Sequence, residues 1–444
     1  MRRSALVVPV AVLALACGGI QGTPAPTLPT TAATTSPSHL PNASASPAST
    51  PTPSPTGTPR STPTYTTTPS PTPTTLPTPP MRETPRPSPT PDWSRSPAPP
   101  ETVVVDGVTW QRLYADSLPP VDGLVLDGSS GGQLLAEGAV SYCPTYCVSS
   151  DWYLLTSPDG ILWSVLGQLP GEPNDISTVF DSDFGYFAGG TIGKGGGIGP
   201  AGIWRSTDGA NWSLVDQGTP QQGVCAPAKR DEIMQFYSTD KGLVASGTTS
   251  WLSTDGTHWR CMSDQLMFNV VGEDGEFVGA GEDGTAPGNP DAIFQTLWNS
   301  NDGVHWSLST KVPADVDVAA IDRGFFALTE GYPMNAADGL FFTSNDGKAW
   351  IKRAYPFGSH VVEGLVSDGK RAAAVEEEDT MLGTSAPGAL WISSPDGTEW
   401  TSYRLPQGDG DEIDGEVALF GNTVVVSGFA GRNGPVLWVA ATIP

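Results

Sequence analysis

Positive charge, histidine and cysteine are all scarce in this chain, and it has a single long apolar run. Of its 444 residues, 22 are Lys or Arg against 47 Asp or Glu. Residues 1–100 hold six of the bases (Arg2, Arg3, Arg60, Arg82, Arg86, Arg95) and two of the acids (Glu83, Asp92), leaving 16 against 45 for the rest. A surface that acidic repels phosphate backbones and anionic headgroups. It excludes nucleic acid as a partner and favours neutral or cationic ligands. Only four His occur, of which His258, His305 and His360 lie beyond residue 101. There is no G-x-S-x-G and no H-E-x-x-H, so neither a nucleophile elbow nor a zinc-protease helix is encoded. Apart from Cys17 there are four Cys (Cys143, Cys147, Cys225, Cys261). Their spacing does not fit a zinc site. An even number in an oxidising compartment suggests two disulfides, for which three pairings exist.

What is present begins with an export signal. Met1-Arg2-Arg3 is a basic head, and residues 5–16 form an apolar run of about twelve, too short for a permanent membrane span. The break Ala14-Leu15-Ala16-Cys17-Gly18 resembles a lipobox, which predicts cleavage before Cys17, lipidation of that residue and display on the outer side of the membrane. From residue 18 to 101 the chain is nearly all Pro, Thr, Ser and Ala. Such a segment buries too little apolar surface to offset the entropy of ordering it. It is expected to be a disordered, PPII-rich stalk reaching roughly 250 Å at most, at about 3.1 Å per residue.

An internal repeat organises residues 102–444. The segment S-x-D-G-x-x-W occurs six times: Ser157 to Trp163, Ser206 to Trp212, Ser253 to Trp259, Ser300 to Trp306, Ser344 to Trp350 and Ser394 to Trp400. The Trp residues follow one another at steps of 49, 47, 47, 44 and 50. Each Asp-Gly permits positive φ at a hairpin turn, and the Ser and Asp side chains (Asp159, Asp208, Asp255, Asp302, Asp346, Asp396) can bond the backbone across it. An apolar strand precedes each turn and two more lie upstream. Four short strands per unit make one blade of a β-propeller. A seventh unit is split. Val105-Asp106-Gly107-Val108-Thr109-Trp110 reads as its second half, and Val436-Leu437-Trp438-Val439-Ala440 as the strand before it. The expectation is an all-β, seven-bladed propeller closed by its N-terminal strand.

These motifs resemble the Asp box, or BNR repeat, of the sialidase-like propeller superfamily, in a version one residue shorter than the common form. The resemblance implies that the Asp-box turns lie away from the ligand face. That face is formed by the loops leading into the inner strands and the loops joining second to third strands. The arginine triad, the Tyr-Glu pair and the Phe/Tyr-Arg-Ile-Pro segment of a sialidase are absent, and several of the nine Arg beyond residue 101 flank outer strands.

Aligned starts of the inner strands place Asp122, Asp175, Glu232, Asn269, Asp317, Glu363 and Glu416 around the mouth of the central channel. Such a ring would bind a cation or a cationic group, because like charges that close raise each other's pKa unless a cation is present. Asp409, Asp411 and Asp414 form a carboxylate-dense stretch that suggests calcium but lacks EF-hand spacing. Cys143 and Cys147 share one second-to-third-strand loop, while Cys225 and Cys261 share one blade, so Cys143–Cys147 and Cys225–Cys261 are the favoured disulfides. The expected role is a surface-exposed binding or scaffold propeller recognising a glycan, a cation-bearing ligand or an exported protein. A glycoside hydrolase using two of the ring carboxylates on a neutral glycan is the alternative.

Overall fold

The computed structural model describes residues 91–141, 150–171, 176–192, 200–215, 232–263, 267–282, 295–312, 316–329, 339–358, 360–376, 388–408, 410–431 and 434–443, all in one compact unit. Within them, seven antiparallel sheets form a seven-bladed propeller. Six sheets have four strands and one has five. The inner strands are Gly123–Ser130, Ile176–Ser182, Ile233–Thr239, Met267–Glu273, Val316–Ile321, Val362–Ser367 and Asp411–Phe420, in blades 1 to 7.

Side-chain alternation explains why the sheets stack as a ring. In a central strand, successive residues point to opposite faces, and each face meets a neighbouring blade. Leu134 therefore enters the seam between blades 7 and 1, and Leu135 the seam between blades 1 and 2. Phe325 and Phe326 divide in the same way between the seams on either side of blade 5. Strands buried on both faces read as apolar runs, as in 372–375 and Pro435–Ala440, where every residue is buried. Outer strands such as Ile351–Arg353 are exposed throughout. The core is thus seven seams, each built by two adjacent sheets.

The ring closes where the sequence places the closure, with one difference. Val108–Leu113 pairs with Pro435–Ala440, Arg112 lying opposite Trp438, and completes blade 7. A further strand, Glu101–Val105, lies outside it and makes this the five-stranded sheet. The Asp106-Gly107 turn therefore joins the fifth strand to the fourth and is not half of a seventh repeat motif. Both residues have positive φ (51° and 81°), the geometry of a two-residue type I′ hairpin. The Asp106 carboxylate pairs with Arg404 of blade 6 at 2.7 Å instead of bonding its own turn.

The six Ser-x-Asp-Gly turns join third to fourth strands, and five share one construction; in blade 6 the Gly397 N–H donates to Ser394 O and the Glu399 N–H to Ser394 Oγ instead. In blade 4, Ser300 Oγ donates to Asp302 Oδ1 and accepts from the N–H of Asp302 and Gly303, while the N–H groups of Val304 and His305 donate to Asp302 Oδ1 at 3.0 and 2.8 Å. These bonds stabilise the ionised carboxyl. Ser394 and then Thr398 lower Asp396 to about 2. The backbone N–H groups of Asn211 and His258 hold Asp208 and Asp255 well below the usual carboxylate range. At Asp302 burial opposes the shift, but His305 and the turn N–H groups prevail and lower it. Each glycine is doubly constrained. Gly397 has φ +70°, and a Cβ there would run into the Phe326 ring of blade 5; at Gly160, with φ +78°, it would come 2.7 Å from Val425 Cγ2 of blade 7. The turns are thus wedged against the preceding blade, on the face opposite the loops that lead into the inner strands.

The sequence expectation assigns residues 18–101 to a stalk. Residues 93–98 nevertheless make specific contacts with the blades, described below. Of the four Cys, Cys261 is disulfide-bonded; Cys143, Cys147 and Cys225 lie outside the described residues.

Candidate functional site

An inner strand is hydrogen-bonded on one edge only, to the second strand of its blade. Its other edge carries N–H and C=O groups that need partners where they are buried. Neighbouring inner strands diverge around the channel, so side chains fill this need. Glu416 of blade 7, 8% exposed, accepts the Leu126 N–H of blade 1 at 2.8 Å and Ser427 Oγ at 3.0 Å. Asp127 of blade 1 accepts the Val179 N–H of blade 2 at 3.2 Å. Gln235 of blade 3 bonds both the N–H and the C=O of Val270 in blade 4, at 2.6 and 2.8 Å. Asn269 of blade 4 donates to Asp317 Oδ1 of blade 5 at 2.9 Å. An amide beside the buried carboxylate of Asp317 avoids the repulsion that two carboxylates would suffer. Ser177 Oγ of blade 2 donates to Glu232 Oε1 of blade 3. These contacts clasp blade to blade.

The seven residues of the expected ring therefore divide. Asn269, Asp317, Glu416 and Glu232 bond across blade boundaries. Asp122 is exposed, and its N–H donates to Ala139 O at the start of blade 1. Glu363 lies on the inner strand of blade 6, but its side chain is outside the described residues, as is Asp175 altogether. The sequence reading missed Asp127 and Gln235. Of the carboxylate-dense stretch, Asp411 is buried, accepts the Gly408 N–H at 2.7 Å and lies 3.8 Å from Arg112 Nη1. Asp409 and the side chain of Asp414 are outside the described residues. Among the described residues, no three His, Cys, Asp or Glu side chains are grouped to hold a metal ion.

A cleft of about 730 Å³ lies where blade 7 meets blade 1. Its walls are the loop 114–122, which joins the two blades, and the second-to-third-strand loop of blade 7. Tyr114 and Phe429 supply aromatic rings, Asp116 and Asp122 carboxylates, and Arg95 a guanidinium. The cleft lies on the face to which the inner-strand loops belong. Arg112 stacks over the Tyr114 ring at 4.8 Å. Burial first, then the negative charge of Asp411, pushes the Tyr114 hydroxyl pKa up, so it stays a neutral donor at all ordinary pH.

A smaller cluster lies on the same face in blade 6. His360 Nδ1 is 2.7 Å from Glu376 Oε1, and the imidazole lies 5.6 Å from the Trp391 ring. His258 and His305 instead bond Asp255 and Asp302 within the turns of the opposite face.

The chain matches no family model and no curated protein. Among solved structures it is similar to the β-propeller domain of the Trilobed protease from Pyrococcus furiosus, at 8% identity, 72% of this chain, 94% of that chain and TM-score 0.45. It is also similar to a streptogramin B lyase (8% identity, 71% and 97%, TM-score 0.42) and to puromycin hydrolase (12% identity, 68% and 49%, TM-score 0.42). Likenesses this distant carry no functional argument.

Proposed function

We propose that this chain is an exported binding propeller, anchored through a lipid on Cys17 and held out by its Pro/Thr-rich stalk, and that the cleft between blades 7 and 1 takes a neutral glycan. The observation that carries the reading is the mixed lining of the cleft. An anion would select donors alone, and a cation acceptors alone. Here two carboxylates, a guanidinium, a neutral phenol and two aromatic rings share one concavity. A polyhydroxylated ligand uses all of these, since its hydroxyls both donate and accept and its C–H faces stack on aromatic rings. The overall acidity disfavours anionic sugars. Asp317 and Glu416 already serve as clasps, which moves the expected recognition away from the channel mouth.

The test is binding of the full chain to a panel of cello-, chito- and α-gluco-oligosaccharides, with calcium and with chelator. Tyr114→Ala combined with Asp122→Asn is expected to weaken binding at least about tenfold, a loss of about 1.4 kcal/mol. No binding across the panel, or unchanged binding by the variant, would overturn the reading. Release of reducing ends would convert it to hydrolysis. Retention of an exported protein in place of any glycan would make that protein the ligand.

A further inference from the structure

We propose that residues 91–98, the last of the stem before the first strand, form a strap that builds one wall of the cleft and couples its occupancy to the stem. A local turn shapes the strap. Asp92 Oδ1 accepts the N–H and the hydroxyl of Ser94 at 3.1 and 2.5 Å, and the Arg95 N–H donates to Asp92 O at 3.2 Å. The turn directs two side chains onto the propeller. Trp93 meets Tyr153, on the third strand of blade 1, edge to face with ring centres 4.9 Å apart. Arg95 Nη2 donates to Ala115 O at 2.8 Å and Leu118 O at 3.1 Å. A third bond runs from the Ala98 N–H to Asp116 O at 2.9 Å.

All three acceptors belong to the loop 114–122, which provides most of the lining of the cleft. The loop's backbone bonds are Ser117 N–H to Tyr114 O, Val121 N–H to Pro119 O, and Asp122 N–H to Ala139 O. Leu118 and Val121 fix it below, in the seam between blades 7 and 1. The strap fixes it above. With the strap displaced, three carbonyls return to water and the wall carrying Tyr114, Asp116 and Asp122 loses its support. The cleft also loses its cation, because Arg95 is itself part of the lining. A ligand that requires the ordered wall must then favour the docked strap, and by reciprocity strap docking raises affinity. Apparent affinity falls in proportion to the docked fraction.

The structural half of this proposal stands on the strap contacts, and the ligand half rests on the glycan reading above. Hydrogen exchange in residues 113–124 of the full chain separates the two. In Trp93→Ala, Arg95→Gln and the double variant, the amides of Ser117, Val121 and Asp122 are expected to exchange about tenfold faster or more. Exchange in the central strand of blade 1, residues 134–140, should stay unchanged and report an intact fold. Unchanged exchange at 113–124 in the double variant overturns the strap. If wild-type protein binds no oligosaccharide of the panel, the glycan reading fails while the exchange result still decides the strap. If it binds, saturating oligosaccharide should slow exchange of the Ala98 amide, which is bonded to Asp116 O, by about tenfold or more in the wild-type protein. Unchanged Ala98 exchange in the bound protein overturns the coupling.

Discussion

Asp396, Asp255, Asp208 and Asp302 accept several hydrogen bonds each as anions, so the fold stabilises their charged form. The unfolded reference is about 3.9, and the folded value is about 2 at Asp396 and lower at the other three, held down by the turn hydrogen bonds. A depressed carboxyl pKa adds stability that is complete above the unfolded value and lost as pH falls through the folded one. Denaturant midpoints should therefore lose nothing to these turns down to about pH 5 and lose stability progressively from about pH 4 to about pH 2 and below. Removing one such side chain tests the same bonds at neutral pH. Asp302→Ala strands the Val304 and His305 N–H groups, and, like the loss of a helix cap, should cost about 1–2 kcal/mol in chemical unfolding. These residues are legible in the sequence because every partner lies within three positions of the carboxylate. The clasps are not. Asn269 and Asp317 are 48 residues apart, and Glu416 reaches Leu126 across 290. The alignment of inner strands puts Asn269, Asp317 and Glu416 in equivalent places, but no local pattern tells what they touch.

The inner strand is where side chains do the work that a neighbouring strand would do in an open sheet. Glu416 carries two bonds at one oxygen, so Glu416→Ala leaves the half-buried Leu126 N–H and the buried Ser427 hydroxyl without that acceptor. A cost of about 1–3 kcal/mol is expected for stranding such groups, measured by chemical unfolding. Oligosaccharide binding by the remaining folded protein should be unchanged, because the clasp lies apart from the cleft lining. Strand existence and order are legible throughout, since the apolar runs and Asp-Gly turns recur on a fixed period. The fifth strand of blade 7 is not, because one dipeptide serves two turns. In Val105-Asp106-Gly107-Val108 both turn residues take positive φ, whereas in the repeat only the Gly does and the Asp bonds the backbone beyond it. The cleft is equally hidden. Tyr114 and Phe429 stand over 300 residues apart and meet only because the ring closes there.

Taken whole, the molecule has no central core; its stability is divided among seven seams. The seam between blades 6 and 7 contains Trp110 and Trp438, both fully buried, and Trp438 Nε1 donates to Pro406 O at 3.3 Å. Trp438→Ala removes a large ring from a strand that must pair on both edges, with Val108–Leu113 and with Thr423–Ala430. A loss of about 3–5 kcal/mol is expected, seen as a fall in calorimetric melting temperature.

The order of strands in blade 7 also fixes how the protein would respond to load. A pull on the stem acts first on the Trp93 and Arg95 attachments. It then acts on Glu101–Val105, which unzips from its Glu101–Arg112 end one pair at a time. Only Val105, at its far end, packs against the seam between blades 6 and 7, so the rest of the strand can be lost while Val108–Leu113 still holds blade 7 shut. The outermost hairpin is thus a sacrificial link that yields under tension before the ring opens.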